Sequence, residues 1–235
     1  MAESAVSASH GGALTESLTF PQCLLAHARM RPEAPAMREK YLGIWQTTTW
    51  SALSTLVLQM AAGLAARGLK RGDHIALIGD NRPRLYASMI AAQCLGAIPV
   101  PMYQDAVAAE MVYVFRDASI RIAVVENQEQ TDKVLEIREQ CPKIEHVFYD
   151  DPRGLRNYDE PGLASLDEVI ASGAVFAKQH PDFFSNEVDK AQAQDVAAMF
   201  FTSGTTGNPK GVVHTHYSLI NRAQAGATFD RLTSA

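Results

Sequence analysis

The run His74-Ile75-Ala76-Leu77-Ile78-Gly79 has no polar residue between its ends. A strand of that kind is covered on both faces, which is the habit of a parallel sheet rather than of a half-wet antiparallel one. A helix opened by Pro83 and running through Leu95 follows it. The alternation then repeats. Ala97 to Met102 reads as a shorter strand interrupted by Pro99 and Pro101, Ala106 to Asp117 as a helix, and Ile120 to Val125 as a strand. Gln128 to Gln140 reads as a helix and Glu145 to Tyr149 as a strand. Upstream, Phe20 to Arg31 predicts a helix stopped by Pro32 and Pro35, and Ile44 to Trp50 alternates as a strand does. Leu53, Leu56, Val57, Met60, Ala61 and Leu64 recur at helical steps up to Gly68. The fold class is α/β, with mainly parallel sheets flanked by helices. Asp150 to Gly162, dense in Asp, Pro, Arg and Gly, predicts a surface loop.

A chain of 235 residues with 47% hydrophobic content can bury one large core or two small ones. The net charge of −5, without a basic stripe, argues against a nucleic-acid partner. Cys23, Cys94 and Cys141 are few, odd in number and far apart, which suits a reducing cytoplasm better than a disulfide framework. Met1 to Ser17, rich in Ala, Ser and Gly, reads as a disordered tail without the regions of a secretion signal. No apolar run reaches the roughly 20 residues that cross a bilayer.

The densest chemistry lies in Phe201-Thr202-Ser203-Gly204-Thr205-Thr206-Gly207-Asn208-Pro209-Lys210-Gly211. Gly204, Gly207 and Gly211 allow a backbone close to an anion, with amide N–H groups unshielded. Thr202, Ser203, Thr205 and Thr206 add hydroxyl donors, and Lys210 adds a mobile positive charge. Asp195 to Phe200 predicts a buried strand before the segment and Tyr217 to Phe229 a helix after it, so the expected setting is strand, glycine-rich turn, helix, at the carboxyl end of a sheet strand. The pattern is not that of a P-loop, because Asn208-Pro209 separate Gly207 from the lysine and Gly211 follows it. A flexible Ser/Thr/Gly linker is the plain alternative, but a Pro-Lys-Gly step before a buried-looking Val212-Val213 favours phosphate binding.

Thr202 to Val212, with Thr215-His216 after it, resembles the AMP-binding signature of adenylate-forming enzymes. The resemblance extends upstream through Asn81-Arg82-Pro83, Leu95 to Pro101, Tyr103-Gln104-Asp105-Ala106 and Asp151 to Leu155. It covers residues 18 to 235 and is most similar to bacterial long-chain fatty-acid–CoA ligases. It implies activation of a long-chain fatty acid by ATP to an acyl-adenylate, with Mg²⁺ on the phosphates and coenzyme A as the second substrate. It also implies that Thr202, Ser203, Gly204, Thr205, Thr206, Gly207 and Lys210 bind the nucleotide and that Lys210 is catalytic. Family members run longer, with Tyr-Gly-x-Thr-Glu and Thr-Gly-Asp segments and a mobile second domain that have no counterpart here. The expectation is therefore a partial N-terminal AMP-binding domain, inactive alone, or else a non-catalytic remnant that binds a phosphate ligand or a partner without turnover. A transient membrane-surface contact is compatible with a lipid substrate.

Other residues carry weaker signals. His214 and His216 would share a strand face, yet no third ligand stands nearby, so no metal site is assigned. Asp105, Glu110 and Asp117 read as a solvated helix face. Asp80-Asn81-Arg82-Pro83 follows a strand and could approach a ligand, although Asn81 as a helix cap is the favoured reading.

Overall fold

Side-chain caps set where most helices begin. In the computed structural model, which describes residues 18–202 and 208–232, helix α1 (Phe20–Met30) opens on a capping box between Thr19 and Gln22. Strands β1 (Pro35–Tyr41) and β2 (Ile44–Thr49) form an antiparallel hairpin. Thr49 then caps helix α2 (Trp50–Ala66) by accepting the Ala52 N–H. β1 escaped the sequence reading because it starts at Pro35, and a proline is tolerated at the first residue of an edge strand.

Five parallel strands follow, the first four separated by helices and the last two by a loop: β3 (His74–Ile78), α3 (Pro83–Cys94), β4 (Ile98–Met102), α4 (Ala108–Asp117), β5 (Ile122–Val125), α5 (Gln128–Glu136), β6 (His146–Tyr149) and β7 (Leu163–Ser165). The sheet order is β4-β3-β5-β6-β7. The chain thus steps from β3 to one side, crosses back, and proceeds on the other side, which places a topological switch point between β3 and β5. The doubly covered sheet expected from the run at Ile75 is present, and its two faces separate by strand period. Ile75, Leu77, Ile122, Val124 and Phe148 face a core shared with α2 and α3, whereas Ala76, Ile78, Ala123, Val125 and Val147 face a core shared with α4. Each fully buried Leu, Ile or Phe contributes about 1.5–3 kcal/mol of transfer free energy.

Two helices lie in the stretch 163–190, which the sequence reading left unassigned. Ser165 and Glu168 form a capping box for α6 (Leu166–Gln179), and α7 (Phe183–Asp189) follows. α6 packs on α2 at a glycine contact, where a Cβ on Gly173 would lie 2.6 Å from the Gly63 nitrogen. Gly173 weakens the helical periodicity but permits this backbone approach, which explains both the missed helix and its position.

The last elements are β8 (Val196–Thr202), β9 (Lys210–Thr215) and α8 (His216–Phe229). β8 pairs antiparallel with β9 alone among the described residues. Ala197 and Ala198 are buried, and Met199 and Phe201 pack against the α4 side of the core. Gln93 Nε2, on α3, donates to Ala197 O (2.9 Å, buried), which ties the hairpin to the parallel-sheet unit.

Candidate functional site

The Ser/Thr/Gly segment joins two strands rather than a strand and a helix. Thr202 ends β8, Lys210 begins β9, and the two residues are register partners directly across the ladder. Both are exposed. The helix α8 begins only at His216, after β9, so it does not follow the segment directly as the expected strand–turn–helix setting required. β9 also corrects the reading of Val212-Val213, both of which are exposed. Nor does β8 belong to the five-stranded sheet, so the segment does not sit at a carboxyl end of that sheet. Ser203, Gly204, Thr205, Thr206 and Gly207 lie outside the described residues. Of the expected site residues, the structure thus brings together Thr202 and Lys210, as the two jambs of the loop.

The foot of the hairpin is buried and tightly held. Thr215 caps α8 by accepting the Ser218 N–H (3.1 Å). His216, the first residue of α8, is only 2% exposed, and its Nδ1 accepts the Phe20 N–H of α1 (3.3 Å). Its ring packs at 5.6 Å from the Phe20 ring. Burial drives the His216 pKa from 6.5 down to about 4, with Asp195 opposing weakly. His216 is therefore a neutral structural anchor at the start of α8. His214 points elsewhere, edge-on to the Phe200 ring at 5.6 Å. Among the described residues no cluster of His, Cys, Asp or Glu is arranged to hold a metal.

The carboxyl edge of the parallel sheet is where such folds usually take a ligand, and here it is lined by charges paired with one another. Glu126, directly after β5, accepts the Asp80 N–H (2.6 Å) and the Arg82 Nε–H (2.7 Å) from the segment after β3. A Cβ on Gly79 would meet the Glu126 Cβ at 2.7 Å, so Gly79 is what lets the carboxylate into the crevice. Arg84 bridges Asp150 (2.7 Å) and Asp167 (2.7 Å), and Arg153 clasps Asp151. Arg82, Arg84, Glu126, Asp150, Asp151 and Arg153, with Glu39, Tyr41 and Gln46 of the first hairpin, line a polar cleft of about 730 Å³. Arg82, not Asn81, is the N-cap of α3, and it makes no side-chain cap bond. Asn81 Oδ1 instead accepts the Tyr86 hydroxyl (3.0 Å). Asp105, Glu110 and Asp117 are exposed, in keeping with a solvated face.

Residues 24–234 match the family model of the AMP-binding enzymes, and the chain belongs to that family. It is 30% identical over 224 residues to a mitochondrial medium-chain acyl-CoA ligase, ACSF2, of Homo sapiens, covering 88% of this chain and 35% of that protein. It is 28% identical over 193 residues to the long-chain-fatty-acid–CoA ligase ACSBG1 of Bos taurus, covering 82% of this chain and 26% of that protein. The chain thus spans about a third or less of these relatives. Acetoacetyl-CoA synthetase from Streptomyces lividans shares the fold, with a TM-score of 0.72 at 20% identity over 90% of this chain and 32% of that one.

Proposed function

We propose that this chain is a partial AMP-binding domain, residues 18–235, that contributes the phosphate grip of an acid–CoA ligase acting on fatty carboxylates. The observation that carries the reading is the pairing of Thr202 with Lys210 at the loop end of the β8–β9 hairpin, one on either side of a segment rich in hydroxyl and glycine residues. In this scheme ATP supplies the electrophile: a carboxylate oxygen attacks the α-phosphorus, the bond to the bridging oxygen breaks, and pyrophosphate leaves. Coenzyme A thiol then attacks the acyl-adenylate carbonyl and releases AMP. Thr202, Ser203, Thr205 and Thr206 hydroxyls with the Gly204 and Gly207 amides would hold the β- and γ-phosphates, and Lys210 would offset charge on the departing pyrophosphate. Mg²⁺ would be carried on phosphate oxygens, since the loop offers neutral oxygens and no carboxylate.

The names of the relatives support a fatty acyl substrate but span both medium-chain and long-chain ligases. A long-chain acid remains our reading. The free thiols of Cys23, Cys94 and Cys141 suit a reducing, cytoplasmic setting, and no helix among the described residues is long and apolar enough to cross a membrane. The test is ATP–pyrophosphate exchange in the natural polypeptide that carries this sequence, with acids of increasing chain length. Exchange that is strongest with long-chain acids and lost in Lys210→Ala is the expected result. Exchange indifferent to fatty acids would refute the substrate class.

A further inference from the structure

The tip of the β1–β2 hairpin is built against the usual preferences of a turn. Tyr41 pairs with Ile44 across the Leu42–Gly43 turn, and both turn residues have positive φ, 48° and 83°. Two positive φ values in a two-residue hairpin turn call for Asn-Gly or Asp-Gly, because a short polar side chain tolerates the left-handed region and solvates well. Leucine does neither. Yet Leu42 is 84% exposed, Ile44 and Trp45 are each 65% exposed and Tyr41 is 52% exposed. Four large apolar side chains in a five-residue stretch thus project into solvent at a position that folding alone would give to asparagine.

The charges around the tip are sorted by face. Lys40 pairs with Trp45 and Arg38 with Thr47, so the two cations flank the indole on one side of the ribbon. Both cations are exposed and take part in no ion pair among the described residues. The neighbouring carboxylate, Glu39, lies on the opposite face, 3.9 Å from Arg82.

We infer that the β1–β2 hairpin is a membrane-surface anchor, with Leu42 and Trp45 entering the headgroup boundary of an anionic lipid bilayer while Arg38 and Lys40 meet the lipid phosphates. A convex tip of four side chains offers roughly a few hundred Å² of apolar surface, short of the about 800 Å² per partner that a specific protein interface buries. A bilayer demands no matching shape, and it favours the pairing found here, aromatic rings at headgroup depth beside cations attracted to anionic lipid. The net charge of −5 works against adhesion by the molecule as a whole, so contact is confined to this tip. The inference does not depend on the ligase reading, because it concerns partition rather than turnover.

The experiment is cosedimentation of the chain with mixed phosphatidylcholine and phosphatidylglycerol vesicles, alongside pure phosphatidylcholine vesicles. Wild type should partition to the mixed vesicles, and the Leu42→Asn/Trp45→Thr variant should bind about tenfold less or weaker still. Leu42→Asn suits the turn, so an unchanged thermal midpoint accompanies the loss. Lys40→Glu, a surface charge change alone, should weaken binding to mixed vesicles without altering binding to neutral ones. The chain has two tryptophans, Trp45 and Trp50. Brominated lipid should therefore quench emission in wild type and leave Trp45→Phe, which retains only the half-buried Trp50, nearly unquenched. Wild type that stays in the supernatant, or a hairpin variant that pellets as wild type does, would overturn the proposal. So would sedimentation velocity showing that the hairpin variant changes self-association in the absence of vesicles, because the occupant would then be a second copy of the chain.

Discussion

The carboxyl edge of the five-stranded sheet and the loop end of the β8–β9 hairpin are both places where this chain could meet an anion, and they solve the problem in opposite ways. At the sheet edge the switch-point crevice between β3 and β5 already contains an anion, the Glu126 carboxylate, which takes the Asp80 N–H and the Arg82 guanidinium. At the hairpin the cation, Lys210, is exposed and the loop beside Thr202 supplies only neutral donors. A parallel α/β sheet thus does not by itself specify where a ligand binds. Here the sheet-edge crevice is lined by paired charges of its own, and the proposed phosphate grip lies instead on a ribbon tied to α3 through Gln93 and Ala197.

The largest effect separating the two regions should come from Lys210→Ala. Under the proposed function Lys210 offsets charge on the leaving pyrophosphate, so its loss should cost around 3 kcal/mol, some hundredfold in adenylate formation, with much less change in fatty-acid binding. Unaltered pyrophosphate exchange in the variant would remove the hairpin from the mechanism and leave the comparison with only its sheet-edge half.

At the sheet edge the loss should appear in stability instead. Glu126→Ala leaves a backbone N–H and a guanidinium without their acceptor, at a cost of about 2 kcal/mol in chemical denaturation. Added acetate should recover part of that loss in the variant and do nothing for wild type, because a free carboxylate can enter the space vacated by the side chain. If acetate acts on both proteins alike, the crevice is not an internally filled anion site.

The foot of the hairpin adds a pH dependence of its own. His216 is lowered to about 4 in the folded chain, from 6.5, because burial disfavours the imidazolium. Between those values the unfolded state binds the proton that the folded state refuses, so stability is complete above about pH 6.5 and falls as the pH drops. At about pH 5 the deficit amounts to roughly 2 kcal/mol relative to pH 7.5. His27 and His74 are lowered by burial as well and add to the same slope. His216→Asn keeps an acceptor for the Phe20 N–H and should flatten the dependence measurably in urea titrations at the two pH values. An unchanged slope would show that His216 is not the group that titrates.

The contrast also explains what could be read from residues alone. β3 and β5 were legible because a strand buried on both faces leaves an uninterrupted apolar run, and α2 because its apolar residues keep strict helical steps. The signature from Thr202 to Gly211 announced the family but not the geometry. Lys210 to Thr215 alternates too weakly, with Val212 and Val213 both exposed, to announce the strand β9 that separates the loop from α8. The filled crevice left no trace either. Glu126 and Arg82 lie 44 residues apart in sequence, and nothing in either local segment reveals that they meet. The sharp loop and the plain sheet edge were thus readable in inverse proportion to how much each depends on distant contacts.

The smallest effect tests the two helix entries that flank these regions. The sequence around Asn81-Arg82-Pro83 suggests an asparagine cap, yet Asn81 is exposed and holds only the Tyr86 hydroxyl, while Arg82 stands at the N-cap with no cap bond. Pro83 explains why the helix starts without one, since its missing N–H removes a donor that would otherwise need a partner and its fixed φ suits the first turn. At the hairpin foot no proline helps, and Thr215 accepts the Ser218 N–H at 3.1 Å. Thr215→Ala should therefore cost about 1 kcal/mol, while Asn81→Ala stays within about 0.5 kcal/mol. Thermal unfolding of the two variants under one buffer condition makes the comparison. A loss at Asn81 equal to that at Thr215 would mean that the asparagine caps α3 after all and that the sheet edge is held in the same manner as the hairpin.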